Sequence, residues 1–437
     1  MHILSDMDSR YALTNELHAR PFPEIDGPAQ VITFALTLDG GADAARAELI
    51  ELLDRFGADH PPPGDNHYYG PLGRNRLKWE LHSEFVTYTQ FVTHEDGQPF
   101  REDLMSVFPG DWLEKLQGRV ITATQISVQY ARDCAEVESR MRDEIRNWFV
   151  GESLAAAYVL ERNAVVVGDF RIDEAGHVRF ALIGLGDIGA RRMGRLVQRV
   201  QEIETYKAMA MLTLPVARKV FAEAGRLGER LSEVATCMTD PKAAPRETLE
   251  DLLKISSEVE LLSSESSYRF SAGRAYRAIV DQRIKVLREE RILERQLFSE
   301  FMMRRFEPAM RTCDAAEKRL EDLSTHSARA SELLSTRVNV AVTEQNRQLL
   351  ESMNRRAALQ MRLQETVEGL SVVAISYYAV NLLLYLLGPL AKHYGLGKTW
   401  LAAALVPPVM GGGWLMVRRI KAHVARAFDD RAGKDRN

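Results

Sequence analysis

The longest run of apolar residues lies near the C-terminus, at residues 369–391, with the sequence GLSVVAISYYAVNLLLYLLGPLA and no charged side chain. At about 1.5 Å of rise per residue, a helix of this length reaches roughly 34 Å, enough to cross the apolar core of a bilayer. A second apolar run, residues 400–417, follows after the short connection KHYGLGKT. The pattern therefore predicts a hairpin of two membrane-spanning helices. The second span contains Pro407–Pro408 and Gly411–Gly413, so we expect it to pack against the first span.

Alternation of apolar and polar residues predicts an α+β domain at residues 1–186. Runs rich in β-branched and aromatic residues predict strands at 29–38, 76–82, 84–95 and 119–129. Apolar residues at helical spacing predict helices at 42–56, 111–116 and 135–149. Residues 156–173 and 177–184 predict a hairpin that turns at 174–176. We expect a mostly antiparallel or mixed sheet.

Residues 187–368 are heavily charged and are rich in helix-forming residues almost throughout, so we expect helices there. Breaks are predicted at Pro215, at 240–245 and at Pro308, and Pro215 either kinks a helix or begins a new one. A last helix from Pro308 into the membrane would have roughly 80 residues and a length of about 120 Å, and would need partner helices to bury its faces. The predicted organisation is a cytoplasmic α+β domain (1–186), a long-helix stalk (187–368), a transmembrane hairpin (369–417) and a basic cytoplasmic tail (418–437).

The charges that flank the apolar runs predict the orientation. Arg418, Arg419, Lys421 and Arg426 follow the second span, whereas the turn between the spans holds only Lys392 and Lys398 besides a histidine. Because positive residues favour the cytoplasmic side, both termini are expected in the cytoplasm. The N-terminal residues show no apolar core of signal-peptide type, which agrees with a bacterial inner-membrane protein whose bulk is cytoplasmic.

Composition and motifs favour no enzymatic chemistry. The net charge of -4 argues against a nucleic-acid partner, and Cys134, Cys237 and Cys313 are too far apart in sequence for a CxxC metal site. HExxH, GxxxxGK[ST] and GxSxG are absent from the sequence. Residues 184–189, GLGDIG, match GxGxxG, but helix rather than a second parallel strand is predicted after them. We interpret them as a turn with Asp187 as the helix cap, and we expect no cofactor and no catalytic residue; the sequence leaves any metal undetermined.

The first span carries a stripe of small and polar residues on one face. Its members, spaced alternately by three and four residues, are Ser371, Ala374, Tyr378, Asn381, Tyr385 and Gly388. The same spacing continues backwards through the stalk, at Asn339, Thr343, Asn346, Leu350, Met353, Ala357, Gln360, Gln364 and Val367. Asn381 should face protein or water rather than lipid. Two interpretations remain open: a helix contact within the hairpin or an oligomer, or the lining of a symmetric pore.

The N-terminal segment 17–23, LHARPFP, is predicted to be an extended arm. It either packs on the domain or uses His18 and Arg20 to bind an anion.

Three segments together resemble a bacterial family of uncharacterised membrane-anchored proteins, known as a domain of unknown function. They are residues 15–23, NELHARPFP, residues 191–218, RRMGRLVQRVQEIETYKAMAMLTLPVAR, and residues 367–386, VEGLSVVAISYYAVNLLLYL. The resemblance extends over nearly the whole chain. It implies membrane anchoring and no established activity.

The layout is also similar to the CorA-type metal-ion transporters. Those proteins have a cytoplasmic α/β domain, a long helix that continues into the first span, a short external loop and a second span. The resemblance implies a homo-oligomer, with a pentamer as the family's size, in which the first span lines a path for an inorganic cation. The family's Gly-Met-Asn signature is absent here, where residues 385–395 read YLLGPLAKHYG. Magnesium selectivity is therefore not carried over.

Two functions follow as hypotheses. The first is a divergent CorA-like ion channel or transporter in the lipid bilayer, with the stripe along the path. The second is a membrane-tethered scaffold that binds other proteins and uses the hairpin only as an anchor.

Overall fold

The computed structural model describes Met7, Arg10, Thr14 and residues 22–93, 98–101, 103–239, 245–393 and 397–434. Contacts divide the chain into two compact units, Met1–Leu333 and Leu334–Asn437. The first unit contains the sheet and also most of the helices that follow it. The predicted boundary at residue 186 stays a prediction.

In its described residues, the first unit is built on one mixed sheet of nine strands. In chain order these are β1 Ala29–Thr37, β2 His67–Leu72, β3 Asn75–Leu81, β4 Phe85–Thr93, β5 Val120–Ala131, β6 Ala155–Val159, β7 Ala164–Ile172, β8 Val178–Leu185 and β9 Glu290–Arg291. Their order across the sheet is β2-β3-β4-β1-β5-β8-β7-β6-β9. The pair β5 and β8 is parallel, and the other paired strands are antiparallel. The expected α+β domain with a mixed sheet is confirmed.

Eight α-helices accompany the sheet in the part of the chain that the structure describes. They are α1 Gly41–Phe56, α2 Gly110–Leu113, α3 Cys134–Asp143, α4 Ala190–Met211, α5 Thr213–Thr239, α6 Pro245–Leu287, α7 Phe298–His393 and α8 Lys398–Lys434. Two 3-10 turns lie at Leu104–Val107 and Ile145–Trp148. The long helical region and the two apolar C-terminal helices agree with the sequence prediction.

One face of the sheet buries the main apolar core. Phe34 of β1 and Trp79 of β3 pack there with Leu49 of α1, while Phe108 and Trp112 close the cluster. A second cluster lies between α3 and strands β6–β8, around Met141 and Tyr158. These are the alternate, inward-facing positions of strands and the apolar face of each helix.

Several strand predictions differ from the structure. Residues 156–173 form two strands, because Leu160, Glu161 and Arg162 all adopt positive φ and reverse the chain between β6 and β7. Strand β2 was not predicted, since Gly70 and Pro71 interrupt its pattern. Strand β9 has only 2 residues, too few to leave a pattern. The predicted helix 135–149 ends at Asp143 and is followed by a 3-10 turn.

The helix boundaries depend on contacts distant in sequence. The N-cap residue of α4 is Gly189, and no side chain caps this helix by a hydrogen bond. The prediction that Asp187 caps the helix is therefore wrong. Pro215 lies in the first turn of α5, as expected for a proline that begins a new helix. Helix α7 starts ten residues before Pro308, because the Glu289 carboxylate accepts hydrogen bonds from the N–H groups of Phe298 and Ser299. Residues 240–244 of the other predicted break lie outside the described residues.

Candidate functional site

Two C-terminal helices are long and apolar enough to cross a membrane. The first is the last part of α7, whose apolar stretch ends at Leu387. The second comprises residues Thr399–Arg419 of α8. Pro407 and Pro408 lie inside α8 without ending it. The predicted basic tail therefore begins within a helix.

In the second unit, α7 and α8 meet through a narrow face of each helix. Ser376 and Val380 of α7 are buried. On α8 the partly buried positions recur every fourth residue, at Leu401, Leu405, Val409, Gly413 and Val417. A Cβ built on Gly413 would lie 3.2 Å from the Ser376 Oγ, so the glycine lets the two helices approach closely.

The predicted stripe lies on a different face of α7. Ser371, Ala374, Tyr378 and Tyr385 are exposed, and Asn381 is half-buried. The exposure of Gly388 lies outside what the structure describes. At about 100° of rotation per residue, the stripe and the Ser376–Val380 face point in roughly opposite directions. The contact within the hairpin thus uses other residues. Whether the stripe contacts another copy or lines a pore stays a prediction.

The same stripe is exposed along the stalk part of the second unit. Leu350 and Met353 remain 61% and 63% exposed in the single chain, and Val367 is similarly uncovered. Side chains around the helix form local ion pairs, such as Arg347 with Glu344 and Glu351. More than half of the surface of each of these apolar residues is therefore exposed in the single chain.

The first unit contains a second candidate site that the sequence did not indicate. On the sheet face opposite the main core, polar side chains surround a cavity of about 260 Å³ between the sheet and helices α4 and α6. We call it the polar cavity. Strands β1, β3 and β4 supply Thr33, Lys78, Glu80, Thr87 and Thr89 to its wall.

Strand register explains this polar wall. Lys78 is opposite Thr89, and Thr89 is opposite Thr33, so the three side chains form a row across three neighbouring strands. Glu80 is opposite Thr87 in the next row. Alternation on these strands sends Phe34, Trp79 and Tyr88 to the main core and these polar residues to the cavity.

Helices α4 and α6 close the polar cavity with amides and a second ion pair. Gln201 donates a hydrogen bond from Nε2 to the Thr33 Oγ1, and Thr33 is also 3.0 Å from the Thr89 hydroxyl. Gln198 donates from Nε2 to one Glu202 oxygen at 2.8 Å, and Arg283 donates to the other. On the strand side, Lys78 Nζ lies 3.0 Å from the Glu80 carboxylate.

One polar atom in the cavity wall has no hydrogen-bond partner among the described residues. The Gln198 Oε1 is buried, yet no donor reaches it. A buried carbonyl oxygen without a donor is costly, so this atom marks a place where a bound donor would be favourable.

Aromatic side chains border one end of the cavity. His82 stacks on Phe85 at 4.2 Å between ring centroids, and Tyr206 stacks on Tyr276 at 5.6 Å. Next to them, Tyr276 and Arg269 donate hydrogen bonds to Glu84. Burial raises the pKa of the Glu84 carboxyl, but hydrogen bonds from Tyr276, Arg269 and Tyr268 and the positive charge of Arg269 together lower the pKa overall. This network fixes α6 against the start of β4.

The described end of the N-terminal arm packs on α4. A Cβ on Gly194 would overlap the Pro23 carbonyl oxygen, and Ile25 donates its N–H to the Ala190 carbonyl. Phe22, half-exposed, belongs to the wall of the polar cavity. His18 and Arg20 lie outside the described residues, so the anion-binding hypothesis stays a prediction.

Sequence patterns gave only a faint signal for the polar cavity. Threonines alternate with larger residues in VTYTQ of β4, and a threonine recurs in the middle of β1. The sequence leaves any metal undetermined, and among the described residues no group of three or more His, Cys, Asp or Glu side chains is placed to hold a metal ion.

Comparison with known proteins identifies a family but no activity. The model of the family described as "Protein of unknown function (DUF3422)" matches residues 5–424. No curated protein and no solved structure matches the chain. The resemblance to an uncharacterised family is thus confirmed over nearly the whole sequence, and the chain belongs to the DUF3422 family.

Proposed function

We propose that this chain is the subunit of a membrane homo-oligomer that conducts a small inorganic ion in a divergent CorA-like arrangement. The observation that carries the proposal is that two different faces lie on opposite sides of α7. One face, at Ser376 and Val380, packs in the hairpin, and the opposite face carries the stripe. A ring of such hairpins would place α8 outside and the stripe around the axis.

The chemistry of the stripe suits passage of a partly hydrated ion better than contact with lipid. The Asn381 amide and the Tyr378 and Tyr385 hydroxyls are polar groups at membrane depth, where a polar side chain usually faces protein or water. Their oxygen atoms can replace water ligands of an ion. Residues 369–391 contain no carboxylate, so this path differs from an acidic cation filter.

The continuous helix supports the same arrangement. Helix α7 has 96 residues and includes both stalk and span, and the exposed stripe keeps its spacing through both parts. Exposed Leu350 and Met353 would be buried by neighbouring copies of the same helix. Insertion in the bacterial inner membrane with both termini cytoplasmic is part of this proposal, on the basis of the positive residues after the second span.

Ion flux in proteoliposomes tests conduction directly. Purified full-length protein should move K⁺ or Mg²⁺ above the background of empty liposomes, and Asn381→Ala should change the flux. Leu386→Ala is the matched control, because Leu386 is 72% exposed and lies about 100° around the helix from the stripe. No flux from wild type, or equal effects of both substitutions, would contradict conduction by this path.

Native mass spectrometry of the detergent-purified protein tests the assembly. The CorA-like arrangement predicts a pentamer. A monomer or dimer leaves no symmetric path for the stripe to line, and it would favour the second hypothesis, a tethered scaffold.

The scaffold hypothesis has its own support in the stalk. From residue 343 to 366 every side chain is exposed in the single chain, with ion pairs along the surface. Such a surface also suits a helical partner protein. Replacement of residues 369–417 by an unrelated two-span anchor separates the hypotheses: preserved cellular function favours the scaffold, and lost function favours conduction.

A further inference from the structure

We infer that the polar cavity of the first unit binds a small zwitterion of the amino-acid class, with an ammonium and a carboxylate and no net charge. The residues of the cavity all belong to Met1–Leu333, so the inference is independent of ion conduction. It begins from the charges in the wall.

The wall contains charges of both signs in equal number. Lys78 is 5% exposed and forms an ion pair with Glu80. Across the cavity, Arg283 forms an ion pair with Glu202. Because each cation already has a carboxylate, a ligand with a net charge would bring an uncompensated charge into the cavity, which is costly. A net-neutral ligand avoids that cost.

The unpartnered Gln198 oxygen indicates one end of the ligand. Gln198 Oε1 has no donor among the described residues, and its amide nitrogen lies 2.8 Å from the Glu202 carboxylate. The Gln198 oxygen needs a hydrogen-bond donor, and the neighbouring Glu202 carboxylate attracts positive charge. Together they favour binding of a cation that has several N–H groups. An ammonium has three donors and no acceptor. It would satisfy Gln198 and lie beside Glu202, whose charge Arg283 already balances, while the carboxylate of the same ligand keeps the added charge at zero.

The strand side suits the other end of the ligand. Lys78 offers an ammonium with three donors, of which Glu80 takes one or two, and it shares its row with the hydroxyls of Thr89 and Thr33. A carboxylate accepts charge-assisted hydrogen bonds from such groups. A zwitterion would therefore place its ammonium beside Gln198 and Glu202 and its carboxylate beside Lys78.

The size of the cavity limits the ligand. At about 30 Å³ per water molecule in the liquid, a cavity of about 260 Å³ has the volume of about nine waters. This is below the usual range for drug-sized ligands and fits a small amino acid rather than a nucleotide.

Isothermal titration calorimetry on the full-length, detergent-purified protein tests the inference. The probes are glycine, L-alanine and L-glutamine, which are net-neutral zwitterions. The comparators are L-glutamate and L-lysine, which carry a net charge, and glycerol, which has no ionised group. At least one zwitterion should bind with a dissociation constant below about 1 mM, and each comparator at least tenfold more weakly. Binding of no zwitterion, or tighter binding of a comparator, overturns the inference.

Variants distinguish a ligand site from a hydrated structural cavity. Gln198→Leu keeps the approximate volume and removes the unpartnered oxygen together with the Nε2 hydrogen bond to Glu202, so its thermal unfolding midpoint should fall by no more than that of Glu202→Gln, while zwitterion binding should weaken at least tenfold. Glu202→Gln should weaken binding as well. Lys285→Gln, an exposed position two residues beyond Arg283 on α6, should bind as wild type does. Unchanged binding by a folded Gln198→Leu protein overturns the assignment of this cavity.

Discussion

Gly413 of α8 lies against Ser376 of α7, so closely that a Cβ on the glycine would be 3.2 Å from the serine Oγ. Val372 Cγ1 would be 3.6 Å away on the same side. The absence of a side chain at Gly413 therefore sets how near the two apolar helices come. Small residues have this role at helix contacts in membranes, where close packing supplies much of the attraction.

We expect Gly413→Leu to separate the two helices and to destabilise the hairpin by about 1–3 kcal/mol, as overpacking does elsewhere. Thermal unfolding of the purified protein in detergent, followed by circular dichroism, measures the change. Gly412→Leu is the control, because a Cβ on Gly412 meets nothing within 4 Å. Equal loss of stability in both variants would show that the contact does not determine the effect.

Self-association through the stripe predicts a cross-linking pattern. With the native cysteines replaced by alanine, Ala374→Cys should form disulfide-linked dimers in the membrane on mild oxidation, because position 374 would face other copies. Leu386→Cys, which is exposed on another side of α7, should stay monomeric. Gel electrophoresis without reductant distinguishes them. Cross-linking at position 386 and none at 374 would argue against the proposed arrangement.

The arm and α4 meet where a side chain has no room. Gly194→Ala would make a Cβ overlap the Pro23 carbonyl oxygen, so the backbone of the arm has to move. We expect a loss of about 1–3 kcal/mol in the free energy of unfolding and faster proteolysis within the arm.

A glycine on the next helix provides the control for that substitution. A Cβ on Gly225 of α5 meets nothing within 4 Å. Gly225→Ala should stabilise the protein by roughly 0.5–1 kcal/mol, since alanine is the better residue in a helix interior. A loss of stability in Gly225→Ala comparable to that of Gly194→Ala would contradict the packing explanation.

The Glu84 network predicts a stability that depends on pH. Burial raises the pKa of Glu84, but the hydrogen bonds from Tyr276, Arg269 and Tyr268, together with the charge of Arg269, lower the pKa by more than burial raises it. The pKa of Glu84 is lower in the folded state than in the unfolded state, where it is about 4.3. The ionised carboxylate therefore stabilises the fold fully above the unfolded pKa, and this stabilisation is lost as the pH falls through the folded-state pKa. Acid should therefore weaken this contact.

Glu84→Gln tests that dependence. The variant should lose about 1–3 kcal/mol in the free energy of unfolding at about pH 7, and the difference from wild type should shrink towards about pH 3. Denaturant unfolding at several pH values measures it. Glu250→Gln, at an exposed position on α6, should stay within about 0.5 kcal/mol of wild type. A constant difference across the pH range would rule out the ionised carboxylate as the cause.

The cysteines should differ sharply in reactivity. Cys237 is exposed, whereas Cys313 is 5% exposed and burial raises the pKa of its thiol to about 11. At about pH 7.5 only about one Cys313 thiol in three thousand would be ionised, and the thiolate is the reactive form. Maleimide should label Cys237 within minutes and Cys313 only after unfolding in guanidinium. Mass spectrometry of tryptic peptides reports both, and rapid labelling of Cys313 in the folded protein would contradict its burial.

Local patterns in the sequence determined the elements with strong periodicity. The runs 29–38 and 119–129 became β1 and β5, and the charged region after residue 187 became long helices, because alternation and helical spacing each fit one backbone geometry. The two apolar C-terminal helices follow from length and composition alone. The spacing of the stripe was likewise visible in the sequence.

Contacts between distant residues decided the rest. The position of Glu289 fixed the start of α7, and successive positive φ angles at Leu160–Arg162 divided one predicted strand into two. Which face of α7 meets α8 depended on Gly413, which no pattern within α7 could reveal. The polar cavity arose only when β3, β4 and β1 paired in register beneath α4 and α6. Periodicity records which side of an element is buried, but the partner of each side is set by packing across the whole fold.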